Sequence, residues 1–209
     1  MTSKHQLFKT AFGLALFTII YNIAEGLVST YLGFEGESLA LFGFGSDSFI
    51  EVISGLGIIH MITRIQKNPD SSRDKFERLA LKITGVAFYI LVAGLLFSSI
   101  YNLWIGHTPE TTFPGIIIAI LSIVIMSILV AWKRKVGKKL DSAPILADAN
   151  CTMVCVYMSV IVLVSSGIYE LFQIPYVDSI GTLALSYFAF SEGKECFEKA
   201  NSDKLCGCD

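Results

Sequence analysis

Two pairs of side chains that could ligate a metal ion stand in apolar stretches of this chain, with four residues from one member to the next. Asp47 and Glu51 form the first pair, and Cys151 and Cys155 form the second. This spacing places both members of a pair on one face of an α-helix, about one turn apart. Two such helices can supply four converging ligands, the number that a tetrahedral Zn²⁺-like ion takes. The spacing therefore predicts a metal site of two carboxylates and two thiolates.

The composition places these pairs in a membrane. Hydrophobic residues make up 53% of the 209 residues and charged residues only 16%, which is more apolar than a soluble domain of this size usually is. A helix that crosses a bilayer needs about 20 mostly apolar residues. The stretches that qualify are 9–33, 38–63, 81–106, 113–132, 143–169 and 174–191. The sequence thus predicts an all-α bundle of six transmembrane helices, and not an enzyme.

The basic residues indicate how this bundle is oriented. All 16 of them lie before the first span, around the connection between spans two and three, after span four, or after span six. Lys and Arg in short loops stay on the cytoplasmic side, so both termini are expected in the cytosol and the host is expected to be the plasma (inner) membrane of a prokaryote. Beyond this pattern no basic patch occurs, so no nucleic-acid partner is expected. Membrane lipid is the expected surrounding.

Both pairs are predicted to lie near the middle of the membrane. At 1.5 Å per residue, Asp47 is roughly 14 Å from the outer start of span two. Cys151 is about 10 Å from the inner start of span five by the same measure. An ionisable group at such a depth costs at least a few kcal/mol and usually faces a protein interior or a water-filled pathway. Matching depths on two helices favour one shared site.

Three further polar residues lie inside the spans. Asn22 and Glu25 in span one could form a proton relay, act as accessory ligands, or pair with a polar group on a neighbouring span. Asp148 lies one turn into span five, close to a lysine cluster, where it fits a charge at a helix N-terminus and could also guide cations inward. Their spacing leaves these alternatives open.

Three stretches resemble the cation diffusion facilitator family. The second span, "SLALFGFGSDSFIEVISG", places Asp47 and Glu51 on the two positions of that family's metal motif. The fifth, "SAPILADANCTMVCVYMS", places Cys151 and Cys155 where the family usually has His and Asp. The sixth, "YVDSIGTLALSYFAFSEGKE", resembles the family's last span. The resemblance covers the whole membrane portion in the right order.

The resemblance implies efflux of a divalent cation in exchange for protons, with the cation as cargo and no prosthetic group. Two thiols in place of His and Asp shift the expected preference toward Zn²⁺, Cd²⁺ or Hg²⁺ and away from Mg²⁺ and Mn²⁺. Two carboxyls and two thiols can also hold protons when empty and release them when a metal ion binds. Spans one, two, four and five are then expected to move against the other two spans.

The family usually continues with a cytoplasmic domain that supports a homodimer. Here about 17 residues follow Glu192, too few for a domain, so a homodimer is expected by resemblance only. The chain is accordingly divided into a transporter domain, residues 1–196, and a short cytoplasmic tail, residues 197–209. Within that tail, Cys206 and Cys208 form a Cys-x-Cys pair that could capture metal, or they belong to a disordered end.

The same residues also fit a protein that does not transport. Buried cysteines often behave as small hydrophobic residues, and Asp47 with Glu51 could be a hydrogen-bonded structural pair. The alternative is a non-transporting membrane module for metal sensing or thiol redox chemistry, centred on Cys151 and Cys155.

Overall fold

The computed structural model of the chain describes residues 4–68, 75–106, 108–174 and 176–201. Within these ranges the secondary structure consists of six α-helices and contains no strand. The helices are α1 (Lys4–Glu35), α2 (Leu39–Lys67), α3 (Lys75–Ile105), α4 (Phe113–Leu140), α5 (Ala143–Phe172) and α6 (Val177–Asn201). The predicted all-α, six-helix bundle is confirmed.

The helices are longer than the apolar stretches that predicted them. They contain 25 to 32 residues, so each is about 38–48 Å long at 1.5 Å per residue. A hydrocarbon core is only about 30 Å thick. The last turns of α4 and α6 therefore extend beyond the predicted spans, and α6 continues to Asn201, inside the predicted tail of residues 197–209.

The outer surface of the bundle is apolar. Five helices, α1 to α5, are long and apolar enough to cross a membrane, and α6 is richer in polar residues. Large side chains such as Ile90, Phe97 and Trp104 are exposed on α3. A continuous apolar surface of this kind is unfavourable in water and marks contact with lipid. The chain is a multi-pass integral membrane protein.

The helices form a four-helix group and a pair. Contacts are most extensive between α1 and α2, between α4 and α5, and between α3 and α6. Helix α2 is central because it touches α1, α3, α5 and α6. The two helices that carry the predicted ligand pairs, α2 and α5, therefore pack directly against each other. Helices α1, α2, α4 and α5 make up the four-helix group.

Close packing of α1 on α2 depends on glycine. A Cβ atom added at Gly45 would lie 2.5 Å from the Thr30 backbone nitrogen, and one added at Gly26 would lie 3.1 Å from the Gly45 carbonyl oxygen. Small residues of this kind let two membrane helices approach with their backbones in contact. The approach brings the polar residues of α1 within hydrogen-bonding distance of α2.

The first and last described residues, Lys4 and Asn201, lie at one end of the bundle, here called the terminal end. His5 lies 3.2 Å from Gln66 near the end of α2, and Arg78 near the start of α3 donates to the Ala200 carbonyl at 2.9 Å. The described basic residues are also near this end, as the charge pattern predicts. The opposite end, which carries the α1–α2, α3–α4 and α5–α6 connections, is called the far end.

Two carboxylates bind helix N-terminal ends at the far end. Asp178 of α6 accepts hydrogen bonds from the Ser38 hydroxyl at 2.6 Å and from the Leu39 backbone N–H at 2.8 Å. Glu170 of α5 accepts from the Thr112 backbone N–H at 2.6 Å. The first N–H groups of a helix have no partner inside the helix and carry partial positive charge. The N-terminal ends of α2 and α4 are thus each held by a carboxylate from another helix.

Candidate metal centre

Two of the four predicted ligands are in direct contact. The Cys155 thiol on α5 donates to Oε1 of Glu51 on α2 at 2.7 Å. The other carboxylate oxygen of Glu51, Oε2, accepts from the Asn22 amide on α1 at 2.7 Å. Three helices therefore converge on one carboxylate in the middle of the bundle. Both of its oxygens are bonded to polar side chains.

Asp47 lies one turn from Glu51 toward the far end. Its side chain is only 2% exposed, and its Oδ1 atom has no hydrogen-bond partner within the described part of the chain. The same holds for Oδ1 of Asn22. Buried polar oxygens are normally bonded, and those left without a partner call for an explanation such as a bound ion or water. Each of these two oxygens can accept a hydrogen bond from water or bind a cation.

Cys151 lies one turn from Cys155 toward the terminal end. Its sulfur accepts a hydrogen bond from the Lys199 ammonium of α6 at 3.2 Å. Among residues 4–68, 75–106, 108–174 and 176–201, no three His, Cys, Asp or Glu side chains lie close enough to hold one metal ion. The structure thus joins Glu51 to Cys155, while Asp47 and Cys151 flank this contact on opposite sides. The four-ligand site stays a prediction.

Glu25 forms a second polar cluster beside the first. It accepts from the Tyr21 hydroxyl at 2.8 Å and from the Ser48 hydroxyl at 3.0 Å. Ser48 follows Asp47 directly on α2, so Glu25 and Asn22 approach the α2 ligand pair from neighbouring turns of α1. Of the roles that the sequence left open for these two residues, the contacts show pairing with polar groups on a neighbouring helix.

A cavity leads from the Glu51 carboxylate to the terminal end. Its volume is about 90 Å³, and one water molecule requires about 10–15 Å³ by the same measure, so several waters fit. Its lining includes Asn22 and Glu51 at mid-bundle and Glu77 of α3 at the terminal end. A cation could therefore approach Glu51 from the terminal end with part of its water shell.

Asp148 is held by a buried lysine. The Lys133 ammonium of α4 lies 3.0 Å from Oδ2 of Asp148 and also donates to the Thr152 hydroxyl at 2.8 Å. Lys133 is only 2% exposed, and Asp148 and Thr152 both line the cavity. The lysine that pairs with Asp148 thus belongs to the basic cluster at the end of α4. The pair places a carboxylate on the cavity wall with its charge balanced.

Three cavity residues of α6 were not identified from the sequence as part of a site. Glu192, Cys196 and Lys199 line the cavity, and their spacing puts them on one face of the helix. Cys196 is buried within α6, beyond the last predicted span of residues 174–191. The polar composition of α6 was the available signal. Cys206 and Cys208 lie outside the described residues.

A six-helix membrane bundle with a polar centre and a cavity that reaches it is an arrangement typical of a transporter domain. The family model described as the cation efflux transmembrane domain matches residues 14–203, and the chain belongs to this family. Its members are transporters that carry metal ions, which confirms the predictions that the chain is not an enzyme and that the metal is cargo rather than a prosthetic group.

The chain is similar to several curated proteins. It is 28% identical over 175 residues to an uncharacterized transporter of Methanocaldococcus jannaschii, covering 82% of this chain and 62% of that protein. It is 23% identical over 191 residues to the manganese efflux system protein MneP of Bacillus subtilis, covering 87% and 64%. It is 27% identical over 176 residues to transmembrane protein 163 of Xenopus laevis, covering 81% and 60%. The chain thus spans less than two thirds of the length of these relatives.

Proposed function

We propose that this chain exports soft divalent metal cations from the cytosol, with Zn²⁺ as the main cargo and Cd²⁺ and Hg²⁺ as further cargoes. The observation that carries this proposal is the contact between Cys155 and Glu51 at the inner end of the cavity. It joins a sulfur and a carboxylate from the two helices that carry the predicted ligand pairs. Membership of the cation efflux family supports transport as the use of this site.

The chemistry of the donors favours a soft cation. Asp47, Glu51, Cys151 and Cys155 supply two carboxylates and two sulfurs, a set that suits tetrahedral Zn²⁺. Thiolates select soft and borderline metals, whereas Mn²⁺ and Mg²⁺ prefer oxygen donors. The name of the Bacillus subtilis relative records manganese efflux for that protein. For the present chain the sulfur pair argues for Zn²⁺.

The same contact supplies a route to proton exchange. The hydrogen bond between the Cys155 sulfur and Glu51 requires a proton on one of the two groups. A metal ion that binds both atoms must displace this proton, because thiolate and carboxylate ligands bind in their deprotonated forms. Metal binding is thereby linked to proton release, and Glu25 with Asn22 extends the polar path away from the site. Antiport with protons follows from this linkage.

Alternating access would use the two helix groups of the bundle. The cavity reaches Glu51 from the terminal end, while at the far end Asp178 joins α6 to the start of α2 and Glu170 joins α5 to the start of α4. Movement of the four-helix group against α3 and α6 would open the far end and close the cavity. The positively charged terminal end faces the cytosol when the protein is in a prokaryotic plasma membrane. In this orientation the movement exports the cation.

Metal flux into sealed vesicles tests the function. The wild-type chain is expected to transport Zn²⁺ and Cd²⁺ at rates well above Mn²⁺. Asp47→Asn removes one negatively charged ligand, and the double variant Cys151→Ser, Cys155→Ser removes two. Both variants should therefore abolish Zn²⁺ flux. Glu110→Gln, an exposed carboxylate at the far end, serves as the matched control and should transport normally.

Two results would contradict the proposal. Zn²⁺ flux no higher than in empty vesicles would favour the sensing or redox alternative. Full flux in the double cysteine variant would show that Cys151 and Cys155 are not ligands of the transported ion. Coupling is tested in the same vesicles by collapsing the proton gradient, which should reduce Zn²⁺ flux. Flux that does not respond to the gradient, at equal metal concentration, would exclude proton antiport.

A further inference from the structure

The Lys199 side chain points into the bundle instead of toward the terminal end. Its ammonium donates to the Cys151 sulfur at 3.2 Å and lies 2.6 Å from Oε1 of Glu195. The side chain is only 14% exposed. A lysine near a helix end usually extends its charged group to water. This one instead places a positive charge on the cavity wall, in contact with a predicted metal ligand.

The surroundings of the Lys199 ammonium are suited to a cation. Glu192 and Cys196 share the cavity-lining face of α6 with it, and Asp148 and Cys151 line the cavity from α5. Asp148 is already paired with Lys133, and Glu195 is paired with Lys199 itself. The part of the cavity near Cys151 is therefore occupied by a cation that belongs to the protein.

We propose that Lys199 is a tethered competitor that determines which metal ions reach Cys151. Its ammonium donates a hydrogen bond to the Cys151 sulfur while no metal ion is bound. A metal ion that binds this sulfur must displace the ammonium. This inference rests on the proposed function, because it takes Cys151 to be a ligand of the transported cation.

Competition of this kind lowers the affinity of Cys151 for any cation that has to displace Lys199. An ion that forms strong bonds to sulfur, such as Zn²⁺ or Cd²⁺, recovers the loss of the Lys199 contact by binding Cys151. Mn²⁺ gains little from a sulfur ligand and does not recover it. An ion such as Mn²⁺ therefore leaves the contact between Lys199 and Cys151 in place, whereas Zn²⁺ or Cd²⁺ replaces it.

The test compares transport kinetics of Lys199→Met with those of the wild-type chain in vesicles, for Zn²⁺ and Mn²⁺. Breaking a partly exposed contact is worth about 1 kcal/mol, so KM for Zn²⁺ should fall about three- to ten-fold while kcat changes less than about two-fold. Because Mn²⁺ gains little from a sulfur ligand, its KM should change less, and the ratio of Mn²⁺ to Zn²⁺ flux below saturation should fall. Lys199→Arg, which keeps the charge, should keep KM near the wild-type value.

Lys194 provides a matched control on the same helix. It pairs with Glu198 at 3.6 Å, and both side chains are about two-thirds exposed. Lys194→Met removes the same charge without touching the cavity, so its KM should equal that of the wild type. A merely structural role of Lys199 would lower kcat or the amount of folded protein and would not lower KM.

A binding measurement keeps the test valid for a variant that does not transport. In detergent, Zn²⁺ should protect Cys151 from alkylation, with the modified residue located by mass spectrometry, and Lys199→Met should lower the protective concentration about three- to ten-fold. Equal KM and equal protective concentrations in wild type, Lys199→Met and Lys194→Met would overturn the inference alone. Absence of both Zn²⁺ flux and protection in the wild-type chain would overturn the proposed function first, and with it the inference.

Discussion

At the scale of single residues, the centre of this protein is a carboxylate whose two oxygens are bonded to different helices. Glu51 accepts from Cys155 on one side and from Asn22 on the other. The Asn22 contact orients the carboxylate, leaving Oε1 directed at the sulfur. Groups that orient a metal ligand usually matter almost as much as the ligand itself. Asn22 is therefore expected to act as a positioning residue.

Replacing Asn22 should weaken metal binding without removing a charge. Asn22→Ala leaves Glu51 with one fixed oxygen, and loss of such an orienting group typically lowers metal affinity about 10- to 100-fold. A Zn²⁺ titration of the purified protein in detergent measures this change. Asn102→Ala on α3, near the far end, is the matched control and should leave the affinity unchanged. An unchanged affinity in Asn22→Ala would show that Glu51 needs no such support.

At the scale of elements, the site depends on how closely α1 approaches α2. Asn22 and Glu25 reach α2 because Gly26 and Gly45 allow the two backbones to touch. Neither carries a side chain that would hold the helices apart. The distance between these helices thus sets the geometry of both polar clusters.

A methyl group at Gly45 should loosen this contact. Gly45→Ala would place its Cβ 2.5 Å from the Thr30 nitrogen, and overpacking of this kind costs about 1–3 kcal/mol. Unfolding in detergent should show that loss of stability, together with weaker Zn²⁺ binding. Gly94→Ala is the control, since its Cβ would meet no atom within 4 Å, and a helical Gly→Ala change there should stabilise by at most about 1 kcal/mol. Equal stability of both variants would refute the role given to Gly45.

At the scale of the whole molecule, the two ends of the bundle differ. The terminal end contains a cavity that reaches Glu51, whereas at the far end carboxylates bind helix N-termini. These carboxylates connect α6 to α2 and α5 to α4. Because α6 belongs to the helix pair and α2 to the four-helix group, Asp178 joins the two bodies that are proposed to move.

Weakening the Asp178 contact should favour opening of the far end. Asp178→Asn removes the charge that binds the start of α2, a loss of about 1–2 kcal/mol or roughly 5- to 30-fold in the population of the open form. Labelling of Cys155 by an impermeant thiol reagent, added from the far side of oriented vesicles, should rise accordingly. Glu110→Gln should leave labelling unchanged. Labelling of Asp178→Asn at the wild-type rate would exclude a gating role for this contact.

Much of the fold could be predicted from local properties of the chain. The lengths of the apolar stretches determined the number of helices, because a span needs a minimum run of apolar residues whatever surrounds it. The spacing within each ligand pair likewise follows from helix geometry alone. Asp47 with Glu51, and Cys151 with Cys155, could therefore be proposed as pairs before any tertiary contact was known.

Only the tertiary structure decided which residues of different helices meet. Glu51 and Cys155 are 104 positions apart in the chain, and Ser38 and Asp178 are 140 apart. Helix periodicity states which residues share a face, but it does not state which face of another helix packs against it. For that reason the cavity face of α6, with Lys199 on the Cys151 sulfur, became visible only once the six helices were packed together.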